Sequence, residues 1–300
     1  MKSTNFEGLI AAVVTPMTAG GEINLSTIDA YANYLIKRGV NGVFVCGTTG
    51  EGLLLNTVER KKVIEEWMKY SDNLKILVHV GSTSHKIAGE LAKHAQEIGV
   101  DAVSCMGPCY LPPRNTKELV DFNKLVAENA PDIPYYYYHI PNVSGVSINM
   151  LQFLKEGQKT IPNLRGLKYT SYNTMEEQEC INYEHNKFDI LHGHDESLLL
   201  GLTIGGKGGI GTSYNVSSVQ FNKILSSFKS GNITQAAELQ HEANQFIKLL
   251  LEYENSIVSI KAILNIVGID CGPCRLPLRN LSSEEMKSLE NRLKEFDLVL

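Results

Sequence analysis

The chain has 300 residues, 43% of them hydrophobic and 20% charged, with a formal net charge of -5 at pH 7. This is the composition of an ordinary soluble globular protein, and its acidic balance argues against a nucleic-acid partner. The apolar runs are too short to span a bilayer, so we expect no membrane partner. Residues 1–5 show no signal-peptide pattern and the six cysteines are irregularly spaced, which together predict a cytoplasmic protein.

Predicted strands and amphipathic helices alternate along most of the chain. The strands are predicted at residues 8–16, 40–46, 75–80, 101–106, 133–140, 164–168, 188–193 and 207–212. The helices that follow them are predicted at residues 25–38, 56–70, 84–98, 116–129, 149–155, from 174 onward, 197–204 and 217–229. Capping boxes are predicted at Asn56/Glu59, Thr174/Glu177 and Ser282/Glu285.

Eight strand–helix units in succession predict a closed (β/α)8 TIM barrel in preference to an open sheet, because the apolar strands must be covered on both faces. We assign residues 1–230 to this barrel, which would carry the active site. Three further helices are predicted at residues 234–251, at 256–267 and from Ser282 onward. We expect residues 231–300 to form a C-terminal helical extension packed on the barrel.

Lys168 lies near the end of the sixth predicted strand. A lysine there is either an edge residue whose amine reaches water, or a nucleophile whose amine is tuned for covalent chemistry. The second predicted strand ends in Gly47-Thr48-Thr49-Gly50-Glu51. This turn suits either the binding of a carboxylate or phosphate by hydroxyl and N–H groups, or a purely structural role.

The fifth predicted strand contains four consecutive tyrosines, residues 135–138. Strand alternation places Tyr136 and Tyr138 on one face and Tyr135 and Tyr137 on the other. A phenol at the end of this strand could transfer protons. Residues 206–211 satisfy a G-x-G-x-x-G pattern and residues 271–274 a C-x-x-C pattern, but neither has the strand–turn–helix context of a dinucleotide or redox site.

The seventh predicted strand ends in His192-Gly193-His194-Asp195-Glu196. Two histidines on one face could bind a metal, but the first strand offers no further ligand, so we expect no metal site. Asp195 and Glu196 are better suited to accepting hydrogen bonds from the hydroxyls of a polyol.

Taken together, the Gly47–Glu51 turn, the Tyr138-His139-Ile140-Pro141 segment and Gly166-Leu167-Lys168 resemble the pyruvate-dependent class I aldolases. This family includes N-acetylneuraminate lyase and dihydrodipicolinate synthase. The resemblance implies that Lys168 forms a Schiff base with the 2-keto carbon of the substrate and that Tyr138 transfers a proton. It further implies that Thr48 and Thr49 hold the pyruvate carboxylate. No cofactor is implied.

The resemblance also distinguishes between branches of the family. Where the synthase carries an arginine for a second carboxylate, this chain has Val143. Residues 193–196 and 272–278 resemble the lyase branch, which implies retro-aldol cleavage of N-acetylneuraminate to N-acetylmannosamine and pyruvate. Another pyruvate-dependent aldolase, such as dihydrodipicolinate synthase or a 2-keto-3-deoxy-sugar-acid aldolase, is the alternative. The residues expected to hold the sugar tail are Thr170, Gly193, Asp195, Glu196 and Thr212.

Members of this family commonly complete the active site with a tyrosine from a neighbouring subunit. That tyrosine matches Tyr110, which follows the fourth predicted strand. The match implies a homotetramer whose small-molecule partners are sialic acid and pyruvate.

Overall fold

The computed structural model describes residues 6–253 and 255–296. Its strands are β1 Gly8–Ala12, β2 Gly42–Val45, β3 Lys75–His79, β4 Ala102–Met106, β5 Tyr135–His139, β6 Leu164–Tyr169, β7 Asp189–His192 and β8 Gly208–Gly211. Neighbouring strands are parallel and pair in sequence order, and β1 pairs with β8 to close the sheet. The predicted (β/α)8 barrel is confirmed.

The helices lie outside the barrel or follow it. They are α1 Thr27–Lys37, α2 Thr57–Met68, α3 His85–Glu97, α4 Thr116–Ala127, α5 Pro141–Ser144, α6 Met150–Gly157, α7 Thr174–Asn182, α8 Leu198–Thr203, α9 Tyr214–Lys229, α10 Ile233–Glu252, α11 Ser256–Ile266 and α12 Ser283–Leu293. The short α5 was not predicted, and proline at its first position fixes a backbone angle suited to a helix start. No helix in the described ranges is long and apolar enough to cross a membrane.

Side chains along each strand alternate between the barrel interior and the layer beneath the helices. The four tyrosines of β5 follow this rule as predicted. Tyr136 and Tyr138 lie in the interior cluster, whereas Tyr135 and Tyr137 lie in the outer cluster. Lys168 belongs to the interior face of β6, where Lys168 and Tyr138 are register partners on adjacent strands.

Two of the three capping boxes predicted from the sequence are present in the structure. The capping boxes Asn56/Glu59 and Ser282/Glu285 are confirmed. The box predicted for α7 is wrong: Asn173 caps this helix by accepting from the backbone N–H of Glu176. Glu177 is instead buried between α7 and β7, where its carboxylate is 2.8 Å from His192 Nδ1. A buried tertiary contact has taken the side chain that local capping would have used.

The three helices after residue 230 pack on the barrel and on one another. Helix α10 packs against α9, and α11 packs against α9, α10 and α12. The apolar face of α10 is buried at Ala236, Ala243, Phe246 and Leu250, and Leu239 on the same face is partly buried. The division of the chain into a barrel and an extension at residue 230 stays a prediction.

Candidate active site

A cavity of about 600 Å³ opens at the carboxyl ends of the barrel strands. This is the end at which barrel enzymes build their active sites. Every candidate residue that the sequence assigned to the chain's own site lines this cavity, from strands or segments that are far apart in sequence. These residues are Thr48, Thr49, Tyr138, Lys168, Thr170, Gly193, Asp195, Glu196 and Thr212.

Lys168 lies at the floor of the cavity and is only 4% exposed. Its Nζ is 4.3 Å from the centroid of the Phe44 ring and 4.2 Å from that of Tyr138. Within the described ranges no carboxylate pairs with this amine and no group hydrogen-bonds it. A buried amine held between two rings, without an acidic partner, is available for attack on a ligand in the cavity.

Several hydroxyl groups line the same cavity as the amine. Tyr138 Oη lies 3.3 Å from Thr48 Oγ1, and Thr49 Oγ1 lies 2.7 Å from Thr212 Oγ1. Both contacts are short enough for hydrogen bonds, and each links the turn after β2 to another strand end. The cavity therefore offers several hydroxyl donors beside one amine.

The turn after β2 has an unusual backbone. Cys46 and Glu51 both adopt left-handed φ angles, 58° and 54°, which cost about 1–3 kcal/mol each for residues with a side chain. A Cβ on Gly52 would lie 1.8 Å from the Cys46 carbonyl oxygen, so only glycine fits there. The side chain of Glu51 secures the turn by forming a buried 2.6 Å ion pair with Lys261 of α11.

The acidic turn after β7 forms the opposite wall of the cavity. Asp195 Oδ2 accepts a 2.6 Å hydrogen bond from the backbone N–H of Ser213, and burial raises the pKa of Asp195. Burial also acts to raise the pKa of Glu196, but hydrogen bonds from His194, from its own backbone and from Tyr172 outweigh it and lower the pKa to about 2. Glu196 is therefore an ionised acceptor at neutral pH.

The family model described as the dihydrodipicolinate synthetase family matches residues 5–296. The chain belongs to this family. N-acetylneuraminate lyase of Homo sapiens is 40% identical to it over 298 residues, which cover 98% of this chain and 93% of the human protein.

Solved structures of family members agree with the fold. That of Proteus mirabilis N-acetylneuraminate lyase superposes with a TM-score of 0.95 at 36% identity and covers 98% of this chain and 100% of its own. A structure described as a catalytic lysine mutant of Ruminococcus gnavus sialic acid aldolase has a TM-score of 0.92 at 28% identity, covering 96% of this chain and 95% of its own.

Two sets of contacts that support the candidate site were not predicted from the sequence, and the first involves His79. His79 Nδ1 donates to the Cys46 carbonyl oxygen over 3.1 Å, and its ring lies edge-on to Tyr138 with centroids 5.7 Å apart. Burial, together with the charge of Arg60, lowers the pKa of His79 to about 3, so the imidazole is neutral. Nothing near His79 in the sequence indicates this contact.

Helix α10 holds the acidic turn through two amide side chains, which sequence reasoning assigned no role. Gln240 Nε2 donates to the Asp195 carbonyl oxygen over 3.1 Å, and Asn244 Nδ2 donates to that of Glu196 over 3.0 Å. The two amides also bond each other over 3.0 Å. Their spacing of four residues on a helix was the available signal, since it places them on one face.

The two histidines considered for a metal site have separate environments. His192 is buried, with Nδ1 2.8 Å from Glu177 Oε1 and Nε2 2.9 Å from Ser197 Oγ. His194 lines the cavity instead. No group of three potential ligands suited to a metal occurs in residues 6–253 and 255–296.

Tyr110 and Val143 lie outside the cavity. Tyr110 is 80% exposed in the segment after β4 and does not line the cavity of its own chain. Val143 lies on α5 beside a second, smaller cavity of about 290 Å³ that shares Thr48 with the first. A contribution of Tyr110 to a neighbouring subunit stays a prediction.

Burial raises the pKa of each of the thiols Cys271 and Cys274 to about 12. Both are free and protonated near neutral pH, which does not favour a redox role.

Proposed function

We propose that this protein is an N-acetylneuraminate lyase that cleaves its substrate to N-acetylmannosamine and pyruvate through a Schiff base on Lys168. The observation that carries the proposal is the unpaired Lys168 amine in one cavity with the Tyr138 hydroxyl, a cluster of threonines and an acidic wall. Full-length relatives that bear this enzyme name support it.

In the proposed reaction the neutral amine of Lys168 attacks C2 of the open-chain keto acid. The adduct loses its hydroxyl as water by taking the proton of the Tyr138 phenol, which leaves a protonated imine that can accept an electron pair and a tyrosine phenolate. The phenolate then takes the proton of the C4 hydroxyl as the C3–C4 bond breaks, and the electron pair of that bond passes into the imine to form an enamine. N-acetylmannosamine leaves, the enamine is protonated at C3, and water hydrolyses the imine to release pyruvate.

The hydroxyls of Thr48 and Thr49 are proposed to hold the carboxylate of the keto acid. Both line the cavity, and hydroxyl and N–H donors at a turn stabilise an oxyanion without adding a full positive charge. Thr48 is also hydrogen-bonded to Tyr138, so one threonine would connect the carboxylate to the proton-transferring phenol.

The opposite wall is proposed to hold the hydroxylated tail, through Thr170, Gly193, Asp195, Glu196 and Thr212. Among the described residues that line the cavity there is no arginine. An amino-acid semialdehyde, the substrate of a synthase, would bring a second carboxylate towards Asp195 and Glu196 and be repelled. Polyol hydroxyls would instead donate to these carboxylates, which favours the lyase over the synthase.

Trapping with borohydride tests the mechanism. The protein is incubated with pyruvate and borohydride, and the modified residue is located by peptide mass spectrometry. We expect the reduced adduct on Lys168 and none in Lys168→Met, while the exposed Lys207→Met control is labelled as wild type. An adduct on another lysine, or an unchanged adduct in Lys168→Met, would contradict the mechanism. The identity of the substrate is tested separately, by measuring whether the wild type releases N-acetylmannosamine from N-acetylneuraminate.

We further propose that Tyr110 enters the site of a neighbouring subunit in a homotetramer. Tyr110 and Leu111 are 80% and 77% exposed on one segment, which supports a contact with another copy. Tyr110→Ala should lower activity, and sedimentation of the wild type should give four subunits.

We also propose a cytoplasmic location for this protein. The six free cysteines support it, because a reducing compartment keeps thiols unpaired.

A further inference from the structure

Tyr172, His194 and Glu196 form a cluster at the rim of the cavity. The Tyr172 ring stacks on the imidazole of His194, with centroids 4.2 Å apart and 11° between the planes. The Tyr172 hydroxyl donates to Glu196 Oε1 over 2.8 Å, and His194 Nδ1 lies 3.2 Å from the same oxygen. Both rings therefore hold one oxygen of one carboxylate.

This arrangement fixes the direction of the Glu196 carboxylate. No other side chain in the described ranges hydrogen-bonds it. Beyond the two rings and its own backbone N–H, the carboxylate is left to accept from a ligand in the cavity that Glu196 lines. A freely rotating glutamate would lose rotamer freedom on binding a hydroxyl group. Here the contacts with Tyr172 and His194 already restrict that freedom, which favours binding.

The ring of His194 has a second nitrogen that can hydrogen-bond a ligand. His194 Nε2 is buried and, among the described residues, has no hydrogen-bond partner. His194 Nδ1 carries the proton that bonds Glu196, which leaves Nε2 to bond a ligand hydroxyl, a group that can both donate and accept. Tyr172 is 67% exposed, so it can be changed without disturbing the barrel.

We propose that Tyr172 and His194 are positioning residues that set specificity for the length of the substrate's hydroxylated tail. They do so by aiming Glu196 at the hydroxyls of the far end of that tail. This inference rests on the proposed function, since a nine-carbon sialic acid bound at Lys168 would extend its tail towards Glu196. A substrate with a shorter tail would gain less from an oriented carboxylate.

The test compares kcat/KM for N-acetylneuraminate with that for a seven-carbon analogue lacking the last two carbons of the tail. Tyr172→Phe keeps the ring stack and removes the hydroxyl, and His194→Phe keeps a ring and removes Nδ1. We expect each change to reduce the preference for the longer substrate by about ten-fold, because a hydrogen bond to a charged group is lost. The loss should appear mainly in KM.

Tyr183→Phe is the matched control. Tyr183 also donates to a glutamate, with 2.7 Å between its hydroxyl and Glu184 Oε1, but it lies away from the cavity. The preference of Tyr183→Phe for the longer substrate should equal that of wild type. An unchanged preference in both Tyr172→Phe and His194→Phe, or equal use of both substrates by wild type, overturns the inference and leaves the lyase assignment intact. Failure of wild type to release pyruvate from either substrate overturns both.

Discussion

Lys168 and Tyr138 face each other across two adjacent strands, and Lys168 Nζ lies 4.2 Å from the centroid of the Tyr138 ring. Parallel pairing of β5 with β6 creates this contact, because it places the two residues at the same height in the barrel interior. The proposed nucleophile and the proposed proton carrier are therefore positioned by the sheet itself. Their separation does not depend on the conformation of a loop.

Tyr138→Phe should separate imine formation from carbon–carbon cleavage. Removing the hydroxyl should lower turnover of N-acetylneuraminate by about 10²–10⁴-fold, because general acid–base catalysis is lost. Trapping of pyruvate on Lys168 should persist. Tyr137→Phe removes the same atom from the neighbouring residue, which lies in the outer layer, and should turn over at nearly the wild-type rate. Equal rates in the two variants would remove Tyr138 from its proposed role.

Stability should fall as the pH falls below about 6.5, partly through His79. The pKa of His79 is about 3 in the folded protein against an ordinary value of 6.5. Between these values the unfolded chain binds a proton that the folded protein does not, so the free energy of unfolding rises with pH there. One such group contributes a slope of up to about 1.4 kcal/mol per pH unit.

Urea unfolding at a series of pH values measures this slope. His79→Gln should reduce it between pH 6.5 and pH 3, whereas His241→Gln, a change at an exposed position, should leave it as in wild type. An undiminished slope in His79→Gln would show that this histidine does not resist protonation in the folded state.

Lys261→Met should lower the free energy of unfolding by about 3–5 kcal/mol, because the buried carboxylate of Glu51 loses its cation. The backbone N–H of Arg275, which donates to Glu51 Oε2 over 2.7 Å, carries no charge to replace it. The control is Lys61→Met, which removes an ion pair of the same 2.6 Å length from a partly exposed surface. That change should cost about 0–1 kcal/mol. Chemical denaturation measures the free energy of unfolding of both variants. Similar losses would mean that burial of the Glu51–Lys261 pair does not increase its contribution to stability.

Gly193→Ala tests how closely the strand ends are packed. A Cβ at this position would lie 2.1 Å from Thr170 Oγ1 and 2.7 Å from the Tyr169 carbonyl oxygen, so the end of β6 must move. Because Lys168 lies on that strand, we expect kcat/KM to fall by about 10²-fold. Gly20→Ala, where the nearest atom would be 3.7 Å away, is the control. Normal kinetics in Gly193→Ala would mean that the strand end tolerates displacement.

The barrel and the floor of its cavity could be predicted from the sequence because both follow from local patterns. Apolar strands alternate with amphipathic helices, and the period of two along β5 separates Tyr138 from Tyr137. Once eight strands close in order, residues at their carboxyl ends must meet, which brings Thr48 towards Tyr138. These inferences need no knowledge of individual side-chain contacts.

The contacts that hold the site in place could not be predicted. The partner of Glu51 lies 210 residues away in α11, and no pattern near either residue indicates the pairing. The capping box predicted with Glu177 failed for the same reason, since its carboxylate meets His192. Such choices depend on which buried polar groups the completed fold brings together, and many distant pairings satisfy the same local sequence.

The hydrogen bonds from the two amides of α10 to the acidic turn after β7 have a practical consequence. Gln240 and Asn244 bind the carbonyl oxygens of Asp195 and Glu196, not their side chains. These two hydrogen bonds are thus independent of which side chains the turn carries. Libraries randomised at positions 195 and 196 would keep both bonds while the chemistry offered to a ligand changes, which makes this turn a favourable starting point for engineering aldolases with new acceptor sugars.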